Sequence, residues 1–182
     1  MEDQKKPDRK TLEDGGIYLL TSDINDDSVR DAIEWILESN LSGGHEHLTL
    51  IVNSPGGDVY AGFALIDMMC GSKVPVHTVG LGCIASMGLL IFLAGTRGHR
   101  VLTPNTTIMS HQWWGASFGK EHELLSNQKH HEQVSAMILK HYRRHTRLTE
   151  RKIREILLPP SDVWLTAAEA KELGICDEVR CV

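Results

Sequence analysis

The chain has 182 residues, 41% of them hydrophobic, with a formal charge of -5 and a pI near 6.0. That length fills one core and is short for two domains, and the acidic balance offers no basic footprint for nucleic acid. The one basic cluster, Arg143, Arg144, Arg147, Arg151, Lys152 and Arg154, reads as a solvated helix face.

Residues Met1 to Gly16 are rich in charge and almost without apolar side chains, so they read as a mobile arm preceding one domain over 17–182. Ile17 to Leu20 reads as a strand. A helix follows with Val29, Ala32, Ile33, Ile36 and Leu37 on its apolar face, ended by Ser42-Gly43-Gly44. His47 to Val52 is a second strand running into Asn53-Ser54-Pro55-Gly56-Gly57-Asp58, a turn whose glycines permit positive φ and expose backbone N–H groups. A helix from about Tyr60 to Cys70 comes next. Val74 to Val79 has the composition of a buried strand that Gly80 and Gly82 break, and Met87 to Leu93 continues as a buried helix. This alternation predicts an α/β fold with a largely parallel sheet.

Ser86 lies at that strand-to-helix turn. A hydroxyl there meets unpaired N–H groups and the positive end of a helix dipole, which suits a nucleophile provided a base is nearby. Thr106 to Gln112 is a strand with His111 at its exit, and a long helix from about Lys120 to His145 follows Gly115 and Gly119. Its stripe of Leu124, Leu125, Val134, Met137, Ile138 and Tyr142 is interrupted by Gln128, His130 and His131, as expected of a helix that projects to meet a partner. His141 and His145 have metal-pair spacing but no third ligand, so neither metal nor cofactor is expected. Leu148 to Leu158 reads as a helix stopped by Pro159-Pro160. Asp162 then precedes a strand and a helix capped by Thr166 and Glu169.

Cys70, Cys83, Cys176 and Cys181 show no C-x-x-C spacing, and the first two sit in apolar runs as small hydrophobes, which fits a reducing compartment. No segment has the order of a signal peptide, and the run near Ile84 to Ala94 is too short to span a bilayer. A cytoplasmic protein without membrane contact is expected.

Four segments, Asn53 to Gly57, Gly82 to Gly88, Met109 to Gln112 and Asp162 to Ala170, together resemble the signature segments of the ClpP family of serine peptidases, in order, across roughly Ile17 to Val179. The resemblance implies a ClpP/crotonase-like spiral of β-β-α units with Lys120 to His145 as a projecting handle helix. It also implies that Ser86 is the nucleophile, His111 the general base and Asp162 the orienting carboxylate, with Gly57 and Met87 supplying the oxyanion hole. In that scheme an extended polypeptide pairs between the Gly57-Asp58-Val59 edge and the Trp113-Trp114-Gly115 edge. Asp177 is the reserve candidate for the carboxylate.

The family further implies a homo-oligomeric, seven-membered ring, pairing of two rings through the handles, and docking of an AAA+ unfoldase. Trp113 replaces the proline usual after the His-Gln pair, Ser161 replaces the arginine usual before the aspartate, and Thr49 and Ile51 stand where docking-cleft aromatics are usual. These departures point to a divergent member of phage or accessory type whose rings pair weakly. The histidines His122, His130, His131, His141 and His145 on the handle are expected to add like charges as pH falls through about 6.5. Two other classes fit the same segments: a catalytically silent ring subunit, and a crotonase-type acyl-CoA enzyme.

Overall fold

The computed structural model describes residues 11–182. Strands β1 (Ile17–Leu20), β2 (Leu48–Ser54), β3 (Val76–Ala85) and β4 (Arg100–Leu102) lie side by side, followed by β7 (Glu178–Val179), all parallel. Parallel neighbours need crossovers, and α1 (Asp26–Ser42), α2 (Val59–Gly71) and α3 (Met87–Leu93) supply the first three. β5 (Thr107–Ser110) pairs with the far half of β3, and β6 (Val163–Thr166) pairs antiparallel with β5. This sheet with its crossover helices has the architecture implied by the family resemblance.

β2 shows how the sheet is buried. Leu48, Leu50, Val52 and Ser54 are enclosed, whereas Thr49 and Ile51 are half-covered and Asn53 is exposed. One face therefore packs on α1, α2 and α3, and the other is more open. Local signals set the helix starts. Asn25 and Ser28 form a reciprocal capping box on α1, and the Asp58 carboxylate accepts the Tyr60 and Ala61 N–H groups at the head of α2. Thr166 and Glu169 cap α6 (Ala167–Glu172) as the sequence predicts.

Several expectations are corrected. Gly80 and Gly82 do not end β3. Gly82, at φ 59°, forms an irregularity where Asn53 Oδ1 accepts the Cys83 N–H, and the strand resumes with β5 as its partner in place of β4. Trp35, not Leu37, completes the buried face of α1, since the helical angle swings Leu37 toward solvent. Cys70 is exposed and Cys83 half-buried, while Cys176 is the enclosed thiol, its pKa pushed up to about 11 chiefly by burial. The helix expected over Leu148 to Leu158 is a short turn, α5 (Glu150–Lys152), that widens into a π-helix at Ile153–Leu157. The segment expected to be an arm lies outside the described residues over 1–10, and its remainder contains a 3-10 turn at Glu13–Gly15. β4 is absent from the sequence reading because three residues are too few to show alternation.

The long helix α4 (Glu121–His145) has no buried residue before Val134, so its first half stands clear of the body. Its second half is rooted by Val134, Ile138, Leu139, His141 and Tyr142. His141 Nε2 donates to the Leu90 carbonyl at 2.8 Å and its ring meets Phe63 edge-on. Desolvation, reinforced by His145, lowers the His141 pKa to about 3, and burial lowers that of His145 to about 4. These two residues stay neutral across the range in which protonation of the helix was expected, which corrects that expectation for them.

The depressed His141 pKa links stability to pH. Above about 6.5 the imidazole is neutral in folded and unfolded chains alike. Between 6.5 and 3 the unfolded chain binds a proton that the folded chain refuses, so stability is lost as pH falls. His141 alone is expected to cost about 2 kcal/mol of unfolding free energy at pH 5 relative to pH 7.5. Urea titrations at the two pH values check this, and His141→Gln, which keeps a donor for Leu90, should show a flatter dependence.

Candidate active site

Ser86 is the N-cap of α3 and, among the described residues, the one non-glycine with positive φ, at φ 52° and ψ -123°. Such a conformation costs on the order of 1–3 kcal/mol and persists only where neighbours enforce it. The Ser86 N–H donates to the Met109 carbonyl at 3.0 Å, and the Ser86 carbonyl accepts the Leu89 and Leu90 N–H groups. The turn is thus fastened to β5 on one side and to α3 on the other. Close approach is possible because side chains are missing. A Cβ on Gly56 would lie 2.6 Å from Ser86 Cβ and 2.9 Å from Met87 N, and one on Gly88 would lie 2.8 Å from the Ser54 carbonyl oxygen.

β5 delivers His111 to the same place. Its Nε2 lies 2.8 Å from Ser86 Oγ, a hydrogen bond in which the hydroxyl donates when Nδ1 carries the ring proton. Asp162 Oδ1 is 3.8 Å from His111 Nδ1, beyond hydrogen-bond length, with the carboxylate side chain 62% exposed. The serine-histidine contact is made and the histidine-aspartate contact is loose. Asp162 owes its place to the antiparallel pairing of β6 with β5, which sets Val163 opposite Ser110. Asp177, the reserve carboxylate, is committed elsewhere: it holds Arg100 and accepts the Gly98 N–H.

Backbone geometry orients Gly57. The Gly56 carbonyl accepts the Ile24 N–H, and the Asp58 N–H donates to the Ile24 carbonyl. The Gly57 N–H and C=O belong to those same two peptide planes and therefore point away from Ile24. Met87 is the first residue of α3, so its N–H has no partner within the helix. Two N–H groups, one from the glycine turn and one from the helix start, thus flank Ser86.

A small pocket opens beside this serine, lined by Val59, Met87, Leu90, Trp113, Ile138 and Tyr142 and holding about 20 Å³, room for about one water molecule. Trp113 both lines the pocket and braces α4, its Nε1 donating to Ser135 Oγ at 2.9 Å and its ring meeting His131 edge-on. Trp114 is 85% exposed and does not line the pocket. The Asp58 side chain serves the α2 cap. By sequence alone Ile138 and Tyr142 belong only to a helix stripe. Their i, i+4 spacing, with Tyr142 Oη 2.8 Å from Ser110 Oγ one residue before His111, is the signal that ties α4 to the site.

A serine on a strained strand-to-helix turn, hydrogen-bonded to a histidine just past the end of the neighbouring strand of a mostly parallel sheet, has the arrangement of an α/β serine hydrolase. The family model for Clp protease matches residues 2–181. An ATP-dependent Clp protease proteolytic subunit of Oltmannsiellopsis viridis is 34% identical over 163 residues, 90% of this chain and 83% of that one. ATP-dependent Clp protease proteolytic subunit 2 of Thermobifida fusca (strain YX) is 35% identical over 163 residues, 90% of this chain and 79% of that one. The chain belongs to the Clp protease family and is a ClpP-like, serine-type endopeptidase. Family membership carries oligomeric assembly and association with Clp ATPases in general terms. Among the described residues, no helix is long and apolar enough to cross a membrane.

The packing at Gly56 yields a sharp expectation. Gly56→Ala forces a Cβ into Ser86 at a position whose φ is 96°. Loss of activity by about a hundredfold or more is expected, since sub-ångström misplacement at a reacting group is costly. Peptide turnover measured beside circular dichroism checks that the loss is catalytic and not a failure to fold.

Proposed function

We propose that Ser86, His111 and Asp162 form the catalytic triad of an endopeptidase that cleaves unfolded polypeptides inside an oligomeric chamber. The observation that carries this is the 2.8 Å contact between His111 Nε2 and Ser86 Oγ at a strained turn flanked by two free N–H groups. His111 takes the Ser86 proton as Oγ attacks the peptide carbonyl, the Gly57 and Met87 N–H groups receive the oxyanion, and the leaving amine takes the proton back. Water then hydrolyses the acyl-enzyme. Asp162 closes on Nδ1–H as the imidazolium forms; long contacts of this kind commonly tighten on substrate binding.

The outward N–H and C=O of Gly57 offer a rung for an added strand, which supports binding of an extended substrate along Gly57, Asp58 and Val59. On this reading Trp113 and Val59 wall an apolar side-chain pocket that widens from its present 20 Å³ on binding. Trp114 and Gly115 belong to the opposite substrate edge. The 3.8 Å gap to Asp162 also favours a second reading, a ring subunit held inactive until assembly closes the triad.

A fluorophosphonate probe, with the labelled residue located by mass spectrometry, tests the site. Labelling at Ser86, no peptide hydrolysis by Ser86→Ala, and a loss of orders of magnitude in Asp162→Asn are expected. Wild-type turnover by Ser86→Ala would overturn the triad. An unlabelled, inactive but intact oligomer would favour the silent subunit.

We further propose a seven-membered ring that pairs with a second through the free half of α4 and docks an AAA+ unfoldase. Ser161 stands where an arginine would bridge the rings, and the lost ion pairs leave ring pairing weak. Analytical ultracentrifugation should show single rings in the native protein and a shift to double rings in Ser161→Arg. A double ring that persists at micromolar protein and is unaffected by the substitution would refute it.

A further inference from the structure

A second cavity lies away from the serine and shares no lining residue with the pocket beside it. It holds about 490 Å³, within the range of small-molecule sites. Its walls come from three places in the chain: the turn into β4 brings Arg97 and Arg100, the end of α4 brings His145 and Arg147, and α6 with its following turn brings Lys171 and Asp177. The sequence reading places Arg147 on a solvated helix face, but it lies beyond the end of α4 and faces this cavity.

The charge is unbalanced. Arg100, 4% exposed, forms the floor and donates to both oxygens of Asp177, to the His145 carbonyl and to the Gly174 carbonyl. That uses four of its five N–H groups. Asp177 in turn accepts the Gly98 and Arg100 backbone N–H groups on Oδ2, and its charge is matched by that of Arg100. Among the described residues, Arg97, Arg147 and Lys171 have no ion-pair partner; Arg97 reaches only the Arg144 carbonyl, at 3.2 Å. His145 Nε2 is buried with no hydrogen-bond partner. A chain with net charge -5 thus gathers three unmatched cations around one concavity.

We infer that this cavity is a binding site for a compact, multiply charged phosphate of the pyrophosphate class. Two guanidinium forks, Arg97 and Arg147, pair bidentately with phosphoryl oxygens as they do with carboxylates, Lys171 adds a mobile point charge, and three cations around one concavity suit an anion that carries several charges on a compact frame. The room exceeds what one tetrahedral anion fills. Because Arg97 and Arg100 also hold the last carbonyls of α4, a bound anion would tie β4, α6 and the root of the projecting helix together.

Isothermal titration of the intact protein with pyrophosphate, at constant ionic strength and pH 7.5, tests the site. Saturable binding is expected, with orthophosphate, sulfate and citrate each weaker by about tenfold or more, and with Lys171→Ala and Arg147→Ala each weakening pyrophosphate by about tenfold. Peptide turnover by Lys171→Ala should match wild type. Lys171 is exposed on α6, so that variant remains informative if Arg147→Ala does not fold. Unsaturable heats, sulfate or citrate binding as tightly as pyrophosphate, or affinity unchanged in Lys171→Ala would each overturn the proposal. A change in sedimentation of the two variants without any anion binding would also overturn it, by assigning the cations to a neighbouring subunit.

Discussion

The backbone of Ser86 is the constraint on which the site depends. A serine at φ 52° is not stable by local preference, so the energy that holds it comes from what surrounds it. β3 supplies most of that support by changing partners along its length. Its first half pairs with β4 and its last three residues pair with β5, and Gly82 takes up the irregularity between them. This switch brings Met109 opposite Ala85, lets the Met109 carbonyl take the Ser86 N–H, and places His111 two residues farther on beside Oγ. The strained turn and the position of its histidine therefore share one cause.

A second layer of buried polar contacts keeps the helices from relaxing that arrangement. Ser110 Oγ donates to the Leu157 carbonyl at 2.5 Å and meets Tyr142 Oη, joining β5, α4 and the π-helix beside His111. Burial, opposed only in part by the Ser110 contact, pushes the Tyr142 pKa up to about 12, so the phenol remains a hydrogen-bonding group at any working pH. His141 fastens α4 to α3 through Leu90. Each of these groups would be costly to leave unpaired in the interior, which makes the network restrictive about geometry.

Much of this was legible in the sequence because it rests on local chemistry. The alternation of strands and helices, the glycine turn after β2 and the Thr166–Glu169 cap all follow from residue type at fixed offsets, and the segments around Gly57, Ser86, His111 and Asp162 carry the family resemblance. Features that depend on distant parts of the chain were not legible. Gly80 and Gly82 look like breakers until a second partner strand is in view. Arg147 looks like a surface charge until the turns bearing Arg97 and Lys171 fold beside it. His141 and His145 look like titrating groups on a polar helix until α3 covers them. In each case tertiary burial reversed what periodicity implied.

The free half of α4 has a consequence for how the molecule reports its own state. From Glu121 to Glu132 the helix rests on its backbone bonds, the Glu123 carboxylate that accepts the Lys120 N–H at its start, and contacts made from His130 and His131. Isolated helices of that length are marginal in water. Its amides should therefore exchange with deuterium through local fraying, far faster than those around Ile138 and Tyr142, which are released only when the body opens. Protection of the outer amides would then be a gauge of whatever covers them, readable peptide by peptide without touching the serine.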